Sequence, residues 1–209
     1  MKTIPLANPD ITDHEREAVL AVLNTSSLSL GPKLPEFESI IAQYAGVRHA
    51  VAMSSGTAVL HCIIKGLGMG NGDYVLTTPF SFIASANCIL YQRAIPIFVD
   101  VDPATGNIDP DQVAEAAYDL TGGAHSARRW LPPAMRESHP MLGRLKAILP
   151  IHAFGQPADM DPILEVGARH QLAVIEDACE ALGAEYRGRK AGTLGNAAVF
   201  AFYPNKQMT

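Results

Sequence analysis

The feature that most constrains this chain is a rhythm: short, wholly apolar runs alternate with segments of helical periodicity. Tyr74–Thr78, Ala94–Val99, Ala147–His152, Leu172–Glu176, Ala184–Arg187 and Ala197–Tyr203 read as strands, as does the short run His49–Met53. Gly56–Leu67, Ser81–Tyr91, Pro110–Tyr118 and Pro162–Gln171 read as the helices between them, with Asp109 a plausible cap. Strands without a polar face need cover on both sides, and parallel pairing needs crossover helices. The pattern therefore predicts a three-layer α/β/α fold with a mainly parallel sheet and right-handed connections. Ahead of it, Thr12-Asp-His-Glu15 has the form of a capping box opening a helix to about Leu23. Pro35–Tyr44 reads as a second helix, ended by Gly46.

One stretch breaks the rhythm. Residues 120–144, with Thr121-Gly-Gly, Arg128-Arg-Trp130 and Pro132-Pro133, read as a long excursion and a mobile surface loop. The end of the chain is also informative: an apolar strand stands just before Thr209, where a capping helix or polar tail would be usual. That reads as a chain cut short.

Charge excludes some partners. Lys and Arg number 16 against 21 Asp and Glu, a net charge of −5, which gives no electrostatic case for nucleic acid or an anionic membrane. No apolar run is long enough to span a bilayer, and the polar N-terminus is not a signal peptide, so a cytoplasmic protein is expected. The three cysteines, Cys62, Cys88 and Cys179, lie apart in apolar surroundings and read as small buried hydrophobes. With no Cys/His cluster, no metal site is expected.

Several residues fall at strand ends, where open α/β sheets bind ligands. Ser54-Ser55-Gly56-Thr57 joins a strand end to a helix start, where free N–H groups suit a phosphate or simply form a cap. In Thr78-Pro79-Phe80-Ser81-Phe82 an aromatic ring could stack on a flat heterocycle or pack into the core. Asp177, in Ile175-Glu-Asp-Ala-Cys-Glu180, is a carboxylate that could pair with a protonated pyridine nitrogen or cap the next turn. His152 could shape a pocket or be a hydrogen-bonded core residue. Lys206 follows an aromatic-rich segment; a partly desolvated lysine there would be nucleophilic, while a surface lysine would be inert. Gly66-Leu-Gly-Met-Gly-Asn-Gly72 follows a helix and lacks the dinucleotide-loop register.

The order of these pieces carries more than any one of them. Ser-Gly-Thr, then Thr-Pro-Phe-Ser-Phe, then Glu-Asp-Ala-Cys-Glu-Ala-Leu-Gly-Ala, then Phe-Tyr-Pro-Asn-Lys206 resembles the DegT-like sugar aminotransferases. That family lies in the aspartate-aminotransferase fold group of enzymes dependent on pyridoxal 5′-phosphate (PLP). Leu28-Ser-Leu-Gly-Pro32, Asp100-Val-Asp102 with Asn107-Ile-Asp109, and Leu149-Pro-Ile-His-Ala-Phe-Gly-Gln-Pro-Ala-Asp-Met160 fit as well.

The resemblance implies that Lys206 is the Schiff-base lysine, Asp177 the pyridinium partner, Gly56 and Thr57 phosphate ligands, and Phe82 the ring-stacking residue. Glu180 would lie near the cofactor's phenolic oxygen, where relatives have Gln or His. Ala201 stands where many relatives carry a phosphate-binding Ser. A lysine at 206, not the histidine of the dehydratase branch, implies amino transfer, with glutamate as donor and a nucleotide-linked keto-sugar as acceptor, in a homodimer. By the same resemblance, residues 1–30 form an N-terminal arm and helix, and residues 31–209 an incomplete large PLP-binding domain. The small C-terminal domain is absent, and the chain alone is expected to be inactive and prone to association. Two other readings share the pattern: a non-catalytic fragment, and a PLP enzyme of the same fold acting on a cyclitol or aromatic ketone.

Overall fold

The structure is a computed structural model that describes residues 4–5, 7–123, 125–137 and 143–209. The chain forms two compact units, Met1–Met53 with Phe202–Thr209, and Ser54–Ala201.

In the first unit, α1 (Asp13–Leu23) opens on the expected capping box: Thr12 caps the first turn and the Glu15 side chain returns to the Thr12 N–H. Helix α2 (Lys33–Ala45) stops at Gly46, whose φ of 72° is open to glycine at little cost. His49–Met53 is not a strand. Among the described residues it pairs with no strand, Val51 is 66 % exposed, and Ala52 N–H is tied at 2.8 Å to Glu38 Oε1 on α2. A short apolar run without a ladder partner remains loop. Phe37 of α2 meets Phe202 edge-on at 5.1 Å.

The second unit is the predicted α/β body. Its helices are α3 (Gly56–Gly66), α4 (Ala84–Leu90), α5 (Pro110–Gly122) and α6 (Met160–His170); its strands are β1 (Tyr74–Thr77), β2 (Ile95–Phe98), β3 (Leu145–Ile148), β4 (Ala173–Asp177), β5 (Glu185–Tyr186), β6 (Arg189–Lys190) and β7 (Ala197–Val199). Five strands form one sheet in the order β2-β1-β3-β4-β7, every pair parallel. The period of two divides the core. Tyr74 and Leu76 pack with Val113, Ala116 and Ile163 of α5 and α6, while Val75, Ala147 and Ile175 pack with Leu60, Ile64 and Ile89 of α3 and α4. Three layers result, as the apolar strands required. Asp109 caps α5 as expected, accepting the N–H groups of Asp111 and Gln112.

Other expectations need correction. The final strand ends at Val199, and β5 pairs with a β6 that the sequence did not signal, as an antiparallel hairpin. Cys88 is buried, but Cys62 is exposed and Cys179 only half-buried. The described part of the excursion is packed, not loose. His125–Trp130 and Pro133–Met135 are short 3₁₀ turns, and Ala127 and Leu131 are fully buried. A buried carboxylate anchors them: Asp119 accepts from Ser126 Oγ at 2.7 Å, Trp130 Nε1 at 2.9 Å and Arg129 Nη2 at 2.9 Å. Residues 124 and 138–142 of that stretch lie outside the described residues.

Candidate functional site

Strand β4 ends on two acids that point to opposite faces. Asp177 is buried, and its carboxylate has two donors: Ser85 Oγ reaches Oδ2 at 2.8 Å and the Cys179 N–H reaches Oδ1 at 3.2 Å. Behind Ser85 stands Ser81, with 2.7 Å between the hydroxyls. Ser85 spends its one proton on Asp177, and the Ser81 hydroxyl also reaches the Phe82 carbonyl at 3.1 Å. The Ser85 N–H also bonds the Phe82 carbonyl at 3.2 Å, so Phe82 and Asp177 are linked through one residue of α4. The Phe82 ring is 78 % exposed; the core-packing alternative for it is therefore excluded. Burial, and then the neighbouring Asp177 charge, push the Cys88 thiol up to about 12.

Helix α3 starts beside this point. Ser55 caps it by accepting the Ala58 N–H at 3.2 Å. The N–H groups of Gly56 and Thr57 have no intrahelical acceptor. A Cβ on Gly56 would stand 3.1 Å from Cys179 Sγ and 3.6 Å from the Ala201 methyl, which puts the helix start against the segments after β4 and β7. A side chain here would press on Cys179. The Ala201 methyl offers no hydroxyl, a loss of about 1 kcal/mol relative to a serine hydrogen bond.

Glu180 accepts the Phe154 N–H at 3.1 Å. Lys206 belongs to the first unit, in a turn closed by its N–H on the Tyr203 carbonyl at 2.8 Å. Gly56, Thr57, Phe82, Asp177 and Glu180 all belong to the second unit, at the carboxyl edge of its sheet.

Sequence reasoning passed over Glu176, on the other face of β4. Its carboxylate is fully buried and accepts four hydrogen bonds: Leu194 and Gly195 N–H on Oε1 at 2.6 and 2.7 Å, and Gly192 N–H and His152 Nε2 on Oε2 at 2.8 and 3.0 Å. His152 Nδ1 accepts the Ala158 N–H at 3.1 Å, which fixes the ring proton on Nε2. His152 is thus a core residue, the plainer of its two readings. Burial pushes the Glu176 carboxyl up, but the His152 donor and the Gly195 and Gly192 N–H groups outweigh it and hold it below its ordinary value. The only signal in the sequence was an acid inside an apolar strand.

A carboxylate fixed by two donors, with lone pairs to spare, beside a helix start with free N–H groups is a donor set suited to a cationic ring nitrogen and a phosphate. Residues 9–209 match the model of the DegT/DnrJ/EryC1/StrS aminotransferase family. This chain belongs to that family. It is 42 % identical over 207 residues to the GDP-perosamine synthase of Caulobacter vibrioides, covering 99 % of this chain and 49 % of that protein. The aminotransferase from Psychrobacter cryohalolentis superposes with a TM-score of 0.81 at 34 % identity, covering 96 % of this chain and 45 % of that one. The PLP form of Spr1654 from Streptococcus pneumoniae gives 0.84 at 25 % identity, covering 100 % and 51 %. The chain spans about half the length of the curated relatives it matches.

Proposed function

We propose that this chain supplies the cofactor site of a PLP-dependent aminotransferase that moves an amino group, from a donor such as glutamate, to a nucleotide-linked keto-sugar. The observation that carries the reading is the buried Asp177 carboxylate, aimed by Ser85 and the Cys179 N–H at the sheet edge where α3 presents free N–H groups. Family membership and a relative named as a perosamine synthase support the sugar; a structural neighbour in a PLP form supports the cofactor.

In this reading each residue has a physical task. The Gly56 and Thr57 N–H groups and the Thr57 hydroxyl hold the phosphate, favoured by the positive end of the α3 dipole. Asp177 keeps the ring nitrogen protonated, and Phe82 covers a ring face. Glu180 borders the phenolic edge with one oxygen already committed to Phe154. Lys206 holds the cofactor covalently and carries the proton to and from the substrate carbon. When bound, PLP supplies the electron sink that makes that proton transferable. Residues 1–30 serve as an arm, residues 31–209 as the large domain, and the active form is a cytoplasmic homodimer.

The test is a half-reaction. These residues, PLP-loaded and carried in a chain of the relatives' length because alone they are expected to be inactive, should release one equivalent of 2-oxoglutarate from glutamate and lose their visible-edge absorbance. A nucleotide-linked keto-sugar, but not a cyclitol ketone, should then restore the band. Cofactor uptake without release of the oxoacid would count against amino transfer.

A further inference from the structure

The turn between β3 and α6 holds a strained residue. Phe154 has φ 53° and ψ 24°, a left-handed conformation that crowds the Cβ of any residue but glycine. Its ring is 82 % exposed, so core packing does not offset the strain. Such conformations persist where the surroundings over-determine them, and these do. Ala153 N–H donates to Asn107 Oδ1, and Asn107 Nδ2 returns a bond to the Gln156 carbonyl, both at 3.0 Å. Gln156 N–H closes on the Ala153 carbonyl at 3.0 Å. Glu180 takes the Phe154 N–H itself. The Phe80 ring stands against Phe154 at 5.8 Å and 69°, an edge-to-face contact.

The place is as telling as the strain. Phe80 follows β1 and Phe154 follows β3, and these strands are neighbours. From β1 the chain builds β2 on one side, then returns to lay β3 on the other. In open α/β sheets the crevice at such a reversal, outside the carboxyl ends, is where ligands bind. The clamp on Phe154 comes from Glu180, in the segment that leaves Asp177.

We propose that Phe154 is a specificity-determining residue: Glu180 holds its backbone and Phe80 its ring, making a wall against which the sugar of the nucleotide-linked substrate packs its C–H face. The proposal rests on the functional reading above. An aromatic face attracts the polarised C–H groups of a pyranose and offers an apolar surface that excludes water. The sugar is assigned, not the base, because the Phe154 backbone is tethered to Glu180, which in that reading borders the cofactor's phenolic edge, next to the ring position that bears the reacting carbon. Strain kept for function makes a distinctive forecast: removing it should help the fold and harm the binding.

The test is Phe154→Gly in the PLP-loaded full chain, with Phe154→Tyr beside it. GDP-mannose and GDP serve as probes in calorimetry. Glycine suits φ 53°, so the melting temperature should hold or rise, and PLP uptake should be unchanged. GDP-mannose should bind about ten-fold more weakly, GDP as before, and the tyrosine variant should bind like wild type. A lower melting temperature would make Phe154 a structural residue and overturn the proposal. Unchanged GDP-mannose affinity in the glycine variant, equal losses for both probes, or no binding of GDP-mannose to the wild type would do the same. Failure of the wild type to take up PLP is a different result: it would sink the functional reading on which the proposal stands.

Discussion

Glu176→Gln lowers the stability of the second unit by about 2–6 kcal/mol, the cost of leaving two buried donors unpaired. The substitution is nearly isosteric, so the loss is one of hydrogen bonding. The carboxylate offers acceptors on both oxygens, two donors on each. Glutamine keeps one oxygen. Its amide hydrogens must then face either Leu194 and Gly195 N–H, or Gly192 N–H and His152 Nε2. No histidine tautomer relieves this, because moving the ring proton to Nδ1 sets it against the Ala158 N–H. Two buried donors go unpaired either way, at about 1–3 kcal/mol each. Thermal unfolding should fall by roughly 10 °C. A loss below about 1 kcal/mol would show that the network is not holding the loop at 192–195.

The same group makes the fold acid-sensitive, with a definite sign. Its folded-state value lies below the ordinary 4.5, so its stabilisation is complete above that value and is lost as pH falls through the folded one. Wild type should therefore lose more stability than Glu176→Gln between neutral pH and pH about 3. Parallel acid limbs for the two proteins would contradict the assignment.

Asp177→Asn weakens PLP binding by about ten- to a hundred-fold. The charge is what matters: a hydrogen bond to a charged group is worth about 1.5–3 kcal/mol, and about 1.4 kcal/mol is a factor of ten. The amide also sets its own hydrogens against one of two existing donors, Ser85 Oγ and the Cys179 N–H. Titrating apo-protein with PLP, followed by absorbance, reads the change directly. Equal affinity in wild type and variant would remove Asp177 from the cofactor site.

Much of this was legible in the sequence, for reasons that can be named. The parallel sheet followed from strands apolar on both faces, because Val75 and Leu76 each needed a helix above or below. The caps at Thr12 and Asp109 were legible because they depend only on neighbours within four residues. His49–Met53 misled because a short apolar run says nothing about a ladder partner. β5 fell within the expected Ala184–Arg187 strand, but its partner β6, Arg189–Lys190, was too short to show a period. Glu176 could be seen as an acid in a strand, but its partners Gly192, Leu194 and Gly195 are set by tertiary folding. Phe154 carries no mark at all: its left-handed backbone arises from contacts with Asn107 and Glu180, far away in sequence. The excursion hid its core residues because Ala127 and Leu131 lie among arginines and prolines, and only the buried Asp119 draws them in.

The central claim is that this chain builds a PLP site with Lys206 as its covalent anchor. The most direct test is the absorbance spectrum of purified protein with added PLP, wild type beside Lys206→Ala, before and after borohydride and exhaustive dialysis. The account predicts a band near the visible edge in wild type, bleached by borohydride with the cofactor left bound through dialysis, and neither band nor retained cofactor in the alanine variant. Retention of cofactor by both proteins alike, or by neither, would contradict it.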